Sequence, residues 1–158
     1  MTTARTATVA WKGDLKSGQG QVSAASGAFR ELAVSWPSRL RSTGDTTSPE
    51  ELIAAAHASC FAMALAGGLG RGGTPPSWLE VRATVTFEEA VGSYRIRSSD
   101  LVVRGAVAGL DAAGFQTAVE AAKEGCPVSQ ALRSAVSITA AATLEGDADK
   151  EPRPPDMR

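Results

Sequence analysis

The sequence predicts a domain of mixed helix and sheet, and three observations carry that reading. Short β-favouring runs punctuated by glycine fill the first third and return after residue 76. Between them lies one run of apolar, helix-forming residues around His57 and Cys60. A second helical pattern at 111–124 precedes the last strand-like run. The 158 residues suffice for one domain with a real core and are short for two. With 43% apolar and 21% charged residues, the chain is neither disordered throughout nor fibrous. A formal net charge of -1 gives no electrostatic footprint for nucleic acid or an anionic membrane surface. The first eleven residues lack the apolar run of a signal peptide, and no stretch reads as approaching the roughly 20 apolar residues of a bilayer span. A cytoplasmic protein is expected, a setting in which a purely structural disulfide is unusual.

Residues 7–11, 20–26 and 31–36 read as strands of a meander, with Gly13, Gly18, Gly20 and Gly27 between them. Trp36-Pro37 ends the third strand, and 40–47 is polar and irregular, as a loop or site-forming segment is. A helix start follows: Ser48 can cap, Pro49 suits the first helical position, and Glu50 and Glu51 lie at the positive end of the dipole. The helix at 49–69 is apolar on nearly every side, which predicts a buried central element. Gly67 to Gly73 reads as its C-terminus and a flexible connection. Gly68, Gly70 and Gly73 match the spacing of a dinucleotide loop, but that loop must follow a strand and open a helix, the reverse of the order here. Strands are expected at 79–87, 94–107 and 135–144, the first two joined by a hairpin loop around Gly92. Asp111 caps a helix to residue 124, with Phe115, Ala118, Val119 and Ala122 on one face. Gly125-Cys126-Pro127 breaks it and opens another at 128–133. The domain is expected at 1–145, followed by a charged, Pro-rich and disordered tail at 146–158.

Two cysteines, Cys60 and Cys126, and one histidine, His57, are the conspicuous reactive side chains. His57 precedes Cys60 by three residues, so one helical face can hold both. A Cys-His nucleophilic pair is conceivable, but a single histidine among alanines reads more readily as a packing or interface residue. Two separated cysteines and one histidine fall short of a zinc site. The absence of Cys-x-x-Cys counts against a thioredoxin-like oxidoreductase, and no Gly-x-Ser-x-Gly supports a serine hydrolase. Glu50 lies ten residues before Cys60, on the same side of the helix but about 15 Å away along its axis. A link between them needs a bridge, which Arg39 or Arg41 could supply by binding Glu50 and stabilising a thiolate. At an N-cap before Pro127, Cys126 has its own reason to be acidic. Cys60, in an apolar helix, has a raised pKa unless a cation reaches it. Local physics nominates a dithiol pair and does not say which sulfur attacks.

Trp11-Lys12-Gly13-Asp14, the segment from Thr47 through Cys60-Phe61, and Gly125-Cys126-Pro127-Val128-Ser129-Gln130-Ala131-Leu132 resemble the signature segments of the OsmC branch of the OsmC/Ohr peroxiredoxins, over about residues 8–145. The Ohr branch is less similar, because the Gly-rich loop that carries its arginine is not found here. The resemblance implies an α+β fold with antiparallel sheets around long central helices, in an intertwined homodimer. It implies a thiol-dependent peroxidase of organic hydroperoxides, and more weakly of hydrogen peroxide, that serves in oxidative and osmotic stress. Cys60 matches the peroxidatic cysteine, Cys126 the resolving one, and Glu50 the carboxylate that binds the catalytic arginine. Arg39 fits that arginine best, with Arg41 in reserve. The implied cycle makes a Cys60 sulfenic acid and a Cys60-Cys126 disulfide that an external dithiol of lipoyl type reduces, without metal or organic cofactor. Phe61 and Met63 lie beside the thiol, and Met63 is expected in the core. A hot-dog-like acyl-thioester hydrolase and a non-catalytic redox sensor are the alternatives.

Overall fold

β-favouring residues and glycine turns build the first strands close to where the sequence places them. The computed structural model describes residues 1–41 and 44–146, so the expected tail lies, Gly146 apart, outside the described residues. The chain divides into two compact units, Met1–Leu52 and the remainder from Ile53.

In the first unit, β1 (Ala7–Lys12), β2 (Gln19–Ala24) and β3 (Leu32–Ser35) form the expected antiparallel meander, and β4 (Thr46–Thr47) adds in parallel to β3. Pro37 does more than end a strand. It stands in the first turn of a short helix, α1 (Trp36–Leu40), closed by a capping box in which the Ser35 hydroxyl accepts from the Ser38 amide and the Ser38 hydroxyl accepts from the Ser35 amide. Five residues are too few to show helical periodicity, which is why Trp36 read as the end of a strand and Leu40 as loop, and the two-residue β4 fell within the loop reading of 40–47. Helix α2 (Pro49–Arg71) starts as expected, with Ser48 Oγ accepting from the Glu51 amide at 3.1 Å.

In the second unit, α2 continues to Arg71. It runs through Gly67, Gly68 and Gly70 and stops at Gly73, whose φ of +80° lets the Thr74 amide reach Leu69 O and the Gly73 amide reach Gly70 O, a Schellman closure. By length and composition α2 could cross a bilayer, which corrects the expectation that no stretch comes near. The expectation of burial on every side is also corrected. His57, Phe61, Leu65 and Leu69, spaced by four, are buried, whereas Met63 is 69% exposed.

That stripe packs on a three-stranded sheet ordered β5 (Trp78–Ala90), β6 (Ser93–Ala106), β7 (Ser137–Leu144). The β5-β6 pair is the expected hairpin. β6 and β7 pair in parallel, so the sheet is mixed and not wholly antiparallel. The cause is the connection: α3 (Ala112–Gly125) and α4 (Pro127–Leu132) carry the chain back so that β7 enters from the same end as β6. Asp111 caps α3 by accepting from the Gly114 amide, and Phe115, Val119 and Ala122 join Leu101, Val103 and the α2 stripe in one core.

Candidate active site

Two elements of the second unit bring the cysteines together. Cys60 sits beside the buried stripe of α2, half-buried, and Cys126 is the N-cap of α4, fully buried. Both are free thiols within hydrogen-bonding reach of each other. Cys60 lies on the wall of an open cavity of about 760 Å³, whose apolar lining includes Met63, Leu69, Leu110 and Ala118. Met63 therefore lines this cavity, which corrects the expectation that it belongs to the core. Phe61, one position from Cys60, is in the core.

The electrostatics of the thiols diverge. Burial pushes Cys60 up; the Val128 amide pulls it down, and the neighbouring Cys126 adds to the rise, so Cys60 lies above its ordinary value. Burial opposes ionisation at Cys126 too. There the Ser129 amide, the Cys60 thiol, the Ser129 hydroxyl and the Val128 amide outweigh it, and Cys126 lies below its ordinary value. The Cys126 sulfur closes no full capping bond. The amides of the first turn of α4 act on it through their partial charges. The more acidic thiol is thus the one that local capping pointed to, and the reachable one is Cys60.

A buried polar chain stands behind Cys126. His57, with no exposure, holds Ser99 Oγ at 2.7 Å through Nδ1 and Ser129 Oγ at 2.8 Å through Nε2. Burial lowers its pKa, so the ring is neutral at neutral pH. The histidine is the packed residue that the sequence favoured, with both nitrogens engaged. Ser99 and Ser129 escaped the sequence reading. Their signal was phase: Ser99 shares the inward row of β6 with Leu101 and Val103, where an unpartnered hydroxyl is costly.

In the first unit, Arg39 grips Glu50 sideways, Nε donating to Oε1 at 3.1 Å and Nη2 at 2.6 Å. Glu50 is 8% exposed at its side chain, and the Arg39 guanidinium also lies 5.5 Å over the Trp36 ring. The short helix α1 produces this pairing by presenting Arg39 from its last turn. Arg41, the C-cap residue of α1, is exposed.

A family model described as OsmC-like protein matches residues 42–141. Peroxiredoxin OsmC of Escherichia coli (strain K12) is 38% identical over 128 residues, covering 81% of this chain and 89% of that one. An organic hydroperoxide resistance protein of Xanthomonas axonopodis pv. citri (strain 306) is 34% identical over 99 residues, 61% of this chain and 66% of that one. Among solved structures, the organic hydroperoxide resistance protein OhrB of Bacillus subtilis superposes with a TM-score of 0.69 at 27% identity, covering 87% of this chain and 98% of its own.

Proposed function

Because the chain belongs to the OsmC family, we propose that it is a peroxiredoxin-type peroxidase that reduces organic hydroperoxides, and hydrogen peroxide more weakly, to protect the cell from oxidative and osmotic stress. The observation that best supports the division of labour is exposure: Cys60 lines an apolar cavity, while Cys126 is fully buried next to it. A peroxide can meet the first sulfur and not the second. The Cys60 thiolate attacks the terminal peroxide oxygen, the O–O bond breaks, and the alkoxide takes a proton and leaves as alcohol. Sulfur is oxidised to sulfenic acid and the peroxide is reduced. Cys126 then attacks the Cys60 sulfur, expelling hydroxide that leaves as water with the Cys126 proton. The disulfide that remains is opened by exchange with an external dithiol, of lipoyl type, which restores both thiols.

Cys60 starts above its ordinary pKa, so its thiolate needs a cation. We assign that role to Arg39 and the orienting role to Glu50, supported by their two-point pairing. The exposed face of α2, marked by Met63, supports a homodimer that covers it. The working compartment in this reading is the cytoplasm.

The test is turnover with cumene hydroperoxide and a dithiol reductant, alcohol release being followed. Cys60→Ser abolishes turnover; Cys126→Ser is oxidised once and forms no intramolecular disulfide. Full turnover by Cys60→Ser sinks the proposal.

A further inference from the structure

The cavity beside Cys60 carries a positive charge away from the thiol. It lies wholly in the second unit, walled by α2 and α3, and its volume of about 760 Å³ is in the range of pockets that take small organic ligands. Small residues keep it open: Ala64 and Gly68 on α2, Ala118 and Ala121 on α3. The two hydroxyls on the lining, Thr74 and Thr117, donate to Leu69 O and Ala113 O within the chain. Arg71 is the charged residue of the lining, and among the described residues it forms no ion pair. Cys60 and Arg71 are eleven positions apart on α2, about 1100° of turn, so they share one face. A helical side chain leans toward the N-terminus, and Gly67 leaves room for it there: a Cβ at that position would stand 3.3 Å from Arg71 Nη1. The guanidinium therefore lies near the level of Gly67, seven positions and about 10 Å along the axis from Cys60.

We propose that Arg71 is a specificity-determining residue that anchors the carboxylate of an acidic, long-chain hydroperoxide while the peroxide group meets Cys60. This deepens the peroxidase reading and rests on it. With bonds of about 1.5 Å and angles of about 111°, an extended carbon chain advances about 1.25 Å per bond, so about eight bonds span about 10 Å. The fitting substrate is a fatty acid with its hydroperoxide near the ninth carbon. The apolar walls cover the chain between the two groups, and the guanidinium takes the carboxylate by paired N–H donors. The carbons beyond the peroxide leave by the open side of the cavity. The chemistry is that given above: the Cys60 sulfur takes the terminal oxygen, the O–O bond breaks, the alkoxide takes a proton, and a hydroxy acid is released.

Two measurements test the anchor. In steady-state turnover with a dithiol, below micellar concentration, octadecadienoic acid hydroperoxide with the group on its ninth carbon is compared with its methyl ester. For the wild type the KM of the acid is about threefold to tenfold below that of the ester, the worth of one charge-assisted pair at a partly exposed site. Arg71→Ala removes this ratio by raising the KM of the acid, Arg71→Lys keeps part of it, and Arg71→Glu reverses it. Arg82→Ala, exposed on β5 and equal in lost charge, leaves the ratio as in the wild type. An acid with its hydroperoxide on the fifth carbon spans about 5 Å and gains nothing over its ester. The second measurement needs no turnover. In a Cys60→Ser background, equilibrium dialysis follows binding of the ninth-carbon hydroxy acid, which Arg71→Ala weakens by about threefold to tenfold.

A KM ratio or a hydroxy acid affinity unmoved by Arg71→Ala overturns the proposal. So does an equal shift from Arg82→Ala, which marks a general charge effect, or an equal advantage for the fifth-carbon acid. Failure of the wild type to consume either the acid or the ester would instead overturn the peroxidase reading, while the dialysis still decides whether Arg71 holds a carboxylate.

Discussion

Acid should destabilise this protein through His57, in a window that Asp14 and Asp100 do not share. His57 is fully buried with both ring nitrogens bonded, and burial holds its pKa below the ordinary value of 6.5. The folded ring therefore stays neutral where the unfolded one takes a proton. A depressed histidine adds stability that is fully present above about pH 6.5 and is lost as pH falls toward the folded value. Each unit of pH across that gap is worth about 1.4 kcal/mol, so acidification to about pH 5 costs up to roughly 2 kcal/mol at this site. Asp14, held low by Ser17, and Asp100, held low by Thr139 and Ser98, lie below the ordinary aspartate value and lose their contribution at lower pH. The assay is urea unfolding of wild type and His57→Gln at a series of pH values. The stability gap between the two proteins should narrow by up to about 2 kcal/mol between about pH 7.5 and pH 5, because only the wild type carries the buried imidazole. A gap that stays constant with pH would refute the reasoning.

Further outcomes follow from the two units. Arg39→Ala should raise the Cys60 thiol pKa and slow peroxide reduction at least about tenfold, whereas Arg41→Ala changes little, since a raised thiol needs its cation; equal, small effects in a stopped-flow assay would refute the assignment. Cys126→Ser should form the Cys60 sulfenic acid at least as fast as wild type, because Cys126 contributes to the rise in the Cys60 pKa; a slower first oxidation would count against it. A methyl at Gly105 would stand 2.6 Å from Leu79 Cδ2 and 3.0 Å from the Trp78 carbonyl oxygen. Gly105→Ala should therefore cost about 1–3 kcal/mol in urea unfolding, the usual penalty of overpacking. Met63→Asp, on the exposed face of α2, should weaken self-association in sedimentation; a monomeric wild type would remove its premise.

The sequence was most informative where a local rule and the tertiary demand agree. Ser48-Pro49-Glu50 opens α2, Asp111 opens α3 and Cys126-Pro127 opens α4, because caps are decided within a few residues. Periodicity likewise selected Phe115, Val119 and Ala122 for the core. It failed where the chain must be known as a whole. The apolar composition of α2 spoke for burial all round, yet the sheet covers only the stripe from His57 to Leu69. The parallel β6-β7 pairing depends on the path through two helices, which no strand encodes by itself. The site divides in the same way. The pairing of Arg39 with Glu50 could be nominated from a loop near a helix start, whereas Ser99 and Ser129 lie 42 and 72 residues from the histidine they hold.

Acidity and reach are separated between the two sulfurs, and the separation has consequences for catalysis. In the resting pair the negative charge is favoured on Cys126, under the amides of α4, which peroxide cannot reach. Left there, it would protect the thiolate from oxidation but also idle the reachable sulfur. A cation at Cys60 moves the charge toward the cavity and turns a stable pair into a reactive one. In the proposed cycle a Cys60 sulfenic acid no longer needs that charge, and the same amides then favour the Cys126 thiolate that attacks it. One short helix terminus can thus serve the second step without making Cys126 a competitor in the first. Its seclusion limits what can oxidise it, and its acidity favours its attack on a sulfenic acid formed at Cys60.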